Sequence, residues 1–263
     1  AFLIFPSFVF LFRDSSHHSP ITLVPYQNYL MDSPFVPPIV QYAKYQIMDL
    51  ASLIGILSST LFRHCHSSLS PAPALDDIIQ RDVLLQITII LKAILRMSTG
   101  LSINLIEIIQ NKMAFNERKY PVSLCANKEV KYTAFSDKTG ITTTTASITS
   151  LVTSRTPPTT SHFLAALPNL LLSILSFSSN RGFGRSNCYS YTPTNLLLAI
   201  ISELGELADI LQWEQDNKSL SITDINILSH EMADISIYLL RLAYSLDFDI
   251  LLTLFSEPNI TSF

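Results

Sequence analysis

Glycine is scarce: six residues in a chain of 263. A phosphate cradle built from backbone N–H groups needs several glycines close together, because only they let the main chain approach an anion closely. No G-x-x-x-x-G-K-[ST] stretch occurs, nor G-x-S-x-G, nor H-E-x-x-H. P-loop, α/β-hydrolase and zincin chemistry therefore have no carrier here, and a phosphate site would have to use metal. Cysteine is equally thin. Cys65, Cys125 and Cys188 are too few and too scattered for a disulfide scaffold or a zinc cage, and a reducing, cytosolic compartment is the simplest setting. Charge is sparse as well: 14% of residues, 17 basic against 21 acidic, net −4. Globular domains average roughly 25% charged. With no basic stripe to neutralise phosphates along a duplex, nucleic acid is not an expected partner.

Uninterrupted apolar runs are also lacking. Ala1–Phe12 is apolar but lacks a basic n-region and is broken by Pro6; a signal remnant, a buried segment and non-native coding sequence stay open for it. Phe163–Phe177 falls short of the roughly 20 residues that a bilayer helix needs, and it contains Pro168 and Asn169. Neither is read as a transmembrane helix, and no membrane partner is expected.

What the chain does have is helical periodicity. Residues 1–74 are rich in Pro, Ser and aromatics and stay unassigned and irregular, apart from a helix expected around Tyr42–Leu61. Apolar residues recur densely over Leu75–Met97 and again over Ser102–Arg118, with Gly100 between them and Pro121 after, which predicts a helical hairpin within residues 75–122. Residues 123–186 read as a linker, because their centre, 133–162, is mostly Ser and Thr with Pro157 and Pro158. Residues 187–256 hold two further helices, Asn195–Trp213 and Asp224–Leu246, with Ser221 as the N-cap of the second. The expected fold class is all-α. One internal comparison links the two halves: an offset of 145 lays Leu85–Leu105 on His230–Ile250 with four identities in 21, among them Arg96 on Arg241.

The chemistry sits in two i, i+3 acidic pairs on consecutive helices, Glu203/Glu206 and Glu231/Asp234. At 100° per residue, with Leu197 at zero, Glu203 falls at about 240°, inside the apolar arc, and Glu206 at about 180°, on its border. Glu231 is bracketed by Ile227, Ile235, Tyr238 and Leu242. A lone carboxylate among such side chains costs several kcal/mol of desolvation or takes up a proton. Four on facing stripes call for a cation, and carboxylate oxygens without His or Cys suit a hard ion such as Mg²⁺, which shares its remaining positions with phosphate. The competing reading is a pair of solvated helix faces, the usual fate of E-x-x-E.

These residues carry a resemblance. The stretch Thr192–Trp213 followed by His230–Ala243, with 24 residues between Glu206 and Glu231, resembles the MazG-like all-α nucleotide pyrophosphatases, in particular their dCTP pyrophosphatase branch. A second patch, Lys112-Met-Ala-Phe-Asn-Glu-Arg-Lys-Tyr-Pro121 with Lys131-Tyr132-Thr133, resembles that family's C-terminal helix, yet stands before the E-x-x-E half rather than after it. The resemblance implies helical hairpins of a four-helix-bundle type, joined by long irregular segments and assembled into homo-oligomers. It also implies Mg²⁺-dependent hydrolysis of a nucleoside triphosphate, dCTP above all, to monophosphate and pyrophosphate. Carried over residue by residue, Glu203, Glu206, Glu231 and Asp234 would hold the metal and activate water, Trp213 would stack on the base and Tyr238 would touch substrate. Lys112, Asn116 and Lys119 would face phosphates. For Trp213 the plainer alternative is a packed core indole, and for the three α-helical residues of the second patch a solvated helix end. The family's W-x-x-x-H segment is replaced here by Asn187-Cys-Tyr-Ser-Tyr191, and the Arg of its P-R-N by Thr194, so base selectivity is not carried over.

The chain thus looks like the back half of one copy followed by the front half of another. In the earlier copy the offset puts Gln86, Ile89 and Ala93 where Glu231, Asp234 and Tyr238 stand, so its metal pair is gone, and the later copy breaks at Glu257-Pro258. Two outcomes follow. Either the chain is a fusion or gene-model product of a tandem array that folds poorly, an inactive relic with at most an oligomerisation role, or the helix at 102–120 packs back on the 195–246 hairpin as a circular permutation. A flexible linker of about seventy residues, reaching roughly 45 Å r.m.s., would permit the second. Outside the acidic cluster, His64-Cys65-His66 cannot converge on one ion from regular structure, and His17-His18 reads as a surface pair.

Overall fold

The computed structural model describes residues 38–65, 77–125, 152, 156–182 and 192–257. Every regular element among them is a helix. In chain order these are α1 (Ile39–Cys65), α2 (Asp77–Gly100), α3 (Leu105–Lys119), the short α4 (Val122–Cys125), α5 (Thr160–Asn180), α6 (Pro193–Asp209), α7 (Ile222–Leu246) and α8 (Phe248–Ser256). The all-α expectation is met.

The centre is a bundle of two hairpins. α1 packs on α2 and α6 on α7, while α1 also meets α6 and α2 meets α7. α1 buries Val40, Ala43, Ile47, Leu50, Ile54, Leu57 and Leu61, a stripe alternating three and four residues that lies along one face of a helix. The expected helix around Tyr42–Leu61 therefore extends at both ends. α2 and α7 are apolar around most of their circumference and form the middle of the core; Leu84, Ile87, Ile90 and Leu91 on one, and Leu228, Leu239, Leu240 and Leu242 on the other, are fully buried. Gly100 closes α2 beneath the Tyr42 ring, where an added Cβ would collide with the phenol. The Tyr42 hydroxyl donates to the Arg96 carbonyl at 3.1 Å.

α3 does not fold back on α2 as the hairpin expectation had it. The turn after Gly100, with Ser102 at φ 55°, redirects the chain so that α3 lies on α7 and α5. Its buried face, Leu105, Ile106, Ile108, Ile109, Lys112 and Met113, finds its partners there. α2 instead takes α1 as its antiparallel neighbour.

The segment 123–186, expected as a linker, contains the 21-residue helix α5. Phe163, Leu167, Leu170, Leu171, Ile174 and Ser178 make a buried stripe along it, and the Thr159 hydroxyl caps it by accepting from the His162 N–H. The Ser and Thr residues that suggested a linker fall mostly before this helix or on its outer face. Residues 126–151, the core of the Ser/Thr-rich tract, lie outside the described residues. By length and composition Ile39–Arg63 and Thr160–Asn180 are long and apolar enough to cross a membrane, a test that core helices also pass. Each lays a continuous buried stripe on its neighbours.

Candidate metal and phosphate site

α6 begins at a Thr192 cap, whose hydroxyl accepts from the Asn195 N–H, with Pro193 in its first turn. α7 begins at Ser221, as expected, through a capping box: the Ser221 hydroxyl accepts from Asp224 N–H at 3.1 Å and the Asp224 carboxylate accepts from Ser221 N–H at 2.9 Å. These caps set where the two helices begin, and the packing of α6 on α7 brings Glu203 against Glu231 and Asp234. Carboxylate oxygens of Glu203, Glu231 and Asp234 lie within 4.8 Å of one another.

All three are half-buried, and their acidities record the crowding. Burial, followed by the charges of Asp234, Glu206 and Glu231, pushes the Glu203 carboxyl up to about 8, where it shares a hydrogen bond with Glu231. Burial also raises Glu231 and Asp234, opposed in both by the Lys112 ammonium and in Asp234 by Lys119 as well. Glu206, one turn on, is exposed and outside the converging group, though its charge is felt by the other three.

α3 supplies the counter-charge. Lys112 is buried with its Nζ 2.5 Å from Asp234 Oδ2 and 3.2 Å from His230 Nδ1. Phe115, one turn further, meets the His230 ring edge-on at 5.5 Å, and the Lys112 and Lys119 ammonium groups lie 5.8 and 6.0 Å from the Phe115 ring centre. Asn116 is half-buried on the same helix, and Lys119 is exposed at its end. The helix at 102–120 thus docks on the 195–246 hairpin within one chain.

The remaining candidates stand apart from this cluster. Tyr238 is half-buried one turn beyond Asp234. Trp213 lies past the end of α6 in a turn and is 88% exposed, so the core-indole alternative is excluded. Asn187–Tyr191 and His17-His18 lie outside the described residues, as does His66. His230 was not singled out by sequence; it sits beside Glu231 within the acidic motif but belongs to no spacing rule, and only the approach of α3 reveals it.

The donor set fits a hard divalent ion. Oxygens on opposite sides of one Mg²⁺ are about 4.2 Å apart and of one Ca²⁺ about 4.8 Å, from ligand distances near 2.1 and 2.4 Å. A bound cation would displace the proton that burial holds on Glu203, and the four carboxylates, then ionised, would outweigh the Lys112 and Lys119 ammonium groups by two negative charges.

Part of the chain is related to known pyrophosphatases. It is 36% identical to human dCTP pyrophosphatase 1 over 74 residues, which are 27% of this chain and 44% of that protein. It is 42% identical to the Bos taurus dCTP pyrophosphatase 1 over 57 residues, 20% of this chain and 34% of that protein, and 39% identical to the Mus musculus protein over the same length and shares. The chain spans less than half the length of these curated relatives. No protein-family model and no solved structure matches it.

Proposed function

We propose that this chain hydrolyses (deoxy)nucleoside triphosphates, dCTP in particular, to the monophosphate and pyrophosphate, as a nucleotide-pool clean-up enzyme of the cytosol. The observation that carries the reading is the meeting of Glu203, Glu231 and Asp234 beneath the Lys112 ammonium. The name of the partial relatives points to the same substrate.

Glu203, Glu206, Glu231 and Asp234 would hold Mg²⁺, which supplies charge neutralisation at the triphosphate and polarises the phosphoryl group under attack. Glu206, exposed on the next turn of α6, would reach the ion from the solvent side. The carboxylate oxygens accept hydrogen bonds from an attacking water and orient it between the α and β phosphates. Lys112, held by Asp234 and His230, presents its ammonium to a phosphate oxygen, and Lys119 and Asn116 extend that contact along α3. Trp213 offers an exposed indole face to the base, and Tyr238, one turn beyond Asp234 on α7, would touch substrate. Exposed apolar side chains such as Leu198, Ile201 and Tyr244 favour a homo-oligomer. The docking of α3 on α7 favours the circularly permuted arrangement of two half-copies over a poorly folding fusion.

The test is pyrophosphate release from dCTP with Mg²⁺ by the purified full chain beside its Glu231→Gln variant. The expected result is release by the parent and a loss of about a hundredfold or more in the variant, the scale of removing one group that stabilises transition-state charge. No release by a folded, helical parent would leave the inactive relic reading in its place.

A further inference from the structure

α1 belongs to the hairpin that lacks the metal-binding carboxylates, yet one of its side chains reaches the loop that follows the E-x-x-E helix. Lys44 Nζ donates to the Glu214 carbonyl at 2.6 Å and to Asp216 Oδ1 at 2.7 Å, a contact across 170 residues of sequence. Its neighbours Val40, Ala43 and Ile47 are in the core, so the base of the lysine is fixed, and its side chain is only 25% exposed.

The loop is held at several further points. Leu211 is buried, and its carbonyl accepts from the Glu214 N–H at 3.1 Å. Gln212 donates to the Asp209 carboxylate. Lys218 Nζ lies 2.5 Å from Glu214 Oε2, so Glu214 is gripped by its carbonyl from α1 and by its carboxylate from Lys218. Trp213, the only tryptophan of the chain, stands between buried Leu211 and gripped Glu214 with its side chain 88% exposed. An indole left in water by a loop tied down on both sides is a surface held ready rather than one packed away. Trp213 stands four residues past the end of α6, the helix that carries Glu203 and Glu206.

We infer that Lys44 is a positioning residue for the nucleotide base: it braces the Glu214–Asp216 segment from α1 so that Trp213 is presented at a fixed place just past the helix that carries Glu203 and Glu206. The inference rests on the proposed nucleotide site, and it gives the carboxylate-free hairpin a part in substrate selection. An exposed ion pair contributes little by itself. The effect comes from the charge-assisted bond to a main-chain carbonyl adjoining the tryptophan.

Because Trp213 is unique, its fluorescence reports the loop directly. The full chain is compared with Lys44→Met, which keeps the stem and removes the ammonium, and with Lys44→Arg. The expected result for Lys44→Met is a lower Trp213 anisotropy without nucleotide, a KM for dCTP raised about three- to tenfold, and a kcat within about twofold of the parent. Lys44→Arg restores most of both, and equal far-UV circular dichroism of the three chains separates bracing from folding. Unchanged anisotropy and KM in Lys44→Met would overturn the inference, as would a parent chain whose Trp213 emission does not respond to dCTP. The second outcome removes the base contact alone, since pyrophosphate release and its loss in Glu231→Gln judge the carboxylate site independently.

Discussion

The two hairpins of the bundle share their packing and differ in their chemistry. α2 and α7 are both central helices buried around most of their surface, and the 145-residue offset brings Arg96 onto Arg241. In α7 the polar core positions meet partners: Asp234 holds Lys112, and Arg241 reaches the Ser178 hydroxyl. In α2 the matching acidic positions are Gln86 and Ile89, and the buried cation nearby, Lys92, has no hydrogen-bond partner and lies 5.0 Å from the centre of the Phe255 ring. Burial lowers the Lys92 pKa, with Glu257 pulling the other way. The helical scaffold thus depends on apolar stripes that do not require the carboxylates, while the acidic cluster gathers three side chains from α6 and α7 and one lysine arriving from another helix.

The two buried lysines offer the sharpest way to break this comparison. Lys112→Met leaves Asp234 without its ion pair among raised carboxylates and is expected to destabilise the fold by about 1.5–3 kcal/mol, the range for losing a charged hydrogen bond. Lys92→Met exchanges a buried ammonium without a hydrogen bond for an apolar side chain of similar volume, and is expected to be neutral or stabilising by about 1 kcal/mol. Urea denaturation of both variants checks the pair. Equal losses would mean that the ion pair with Asp234 on α7 adds nothing that the charge buried on α2 lacks.

A smaller effect follows from pH. The Glu203 carboxyl, raised from 4.5 to about 8 in the folded chain, binds its proton more tightly there than in the unfolded chain. Its contribution to stability is fully present below about pH 4.5 and is lost as pH rises through about 8. Glu231 and Asp234 are shifted in the same direction. In chelator the melting temperature is therefore expected to fall between pH 5 and pH 8, less steeply in Glu203→Gln, and to flatten when Mg²⁺ is added. Thermal melts across that range read it, and a parent slope matching that of Glu203→Gln would remove the crowded-carboxylate account.

Much of this was legible in one dimension because helical period and capping are local. The Ser221 cap, the span of α7 and the apolar bracketing of Glu203 and Glu231 all follow from residues within a few turns of one another. α5 is masked in the sequence by composition: Ser and Thr dominate the approach to it, and the apolar run Phe163–Phe177 reads only as a span too short for a bilayer. The pairing of α3 with α7 depends on a turn at Ser102 and on which apolar face wins the core, both tertiary matters. For the same reason Lys112 could be placed at the carboxylates only through family resemblance, and His230 not at all. Trp213 misled in the opposite sense, since the periodic pattern of α6 continues to it while the helix ends at Asp209.

The central claim is that α6, α7 and the docked α3 form one divalent-cation site that works with a nucleotide. Titration of Mn²⁺ into the full chain with dCTP, followed by the electron paramagnetic resonance signal of the free ion, tests it most directly. The account predicts saturable loss of that signal in the parent beyond what dCTP alone removes, and none in Glu231→Gln. Equal Mn²⁺ uptake by the two chains, or none by either, would contradict it.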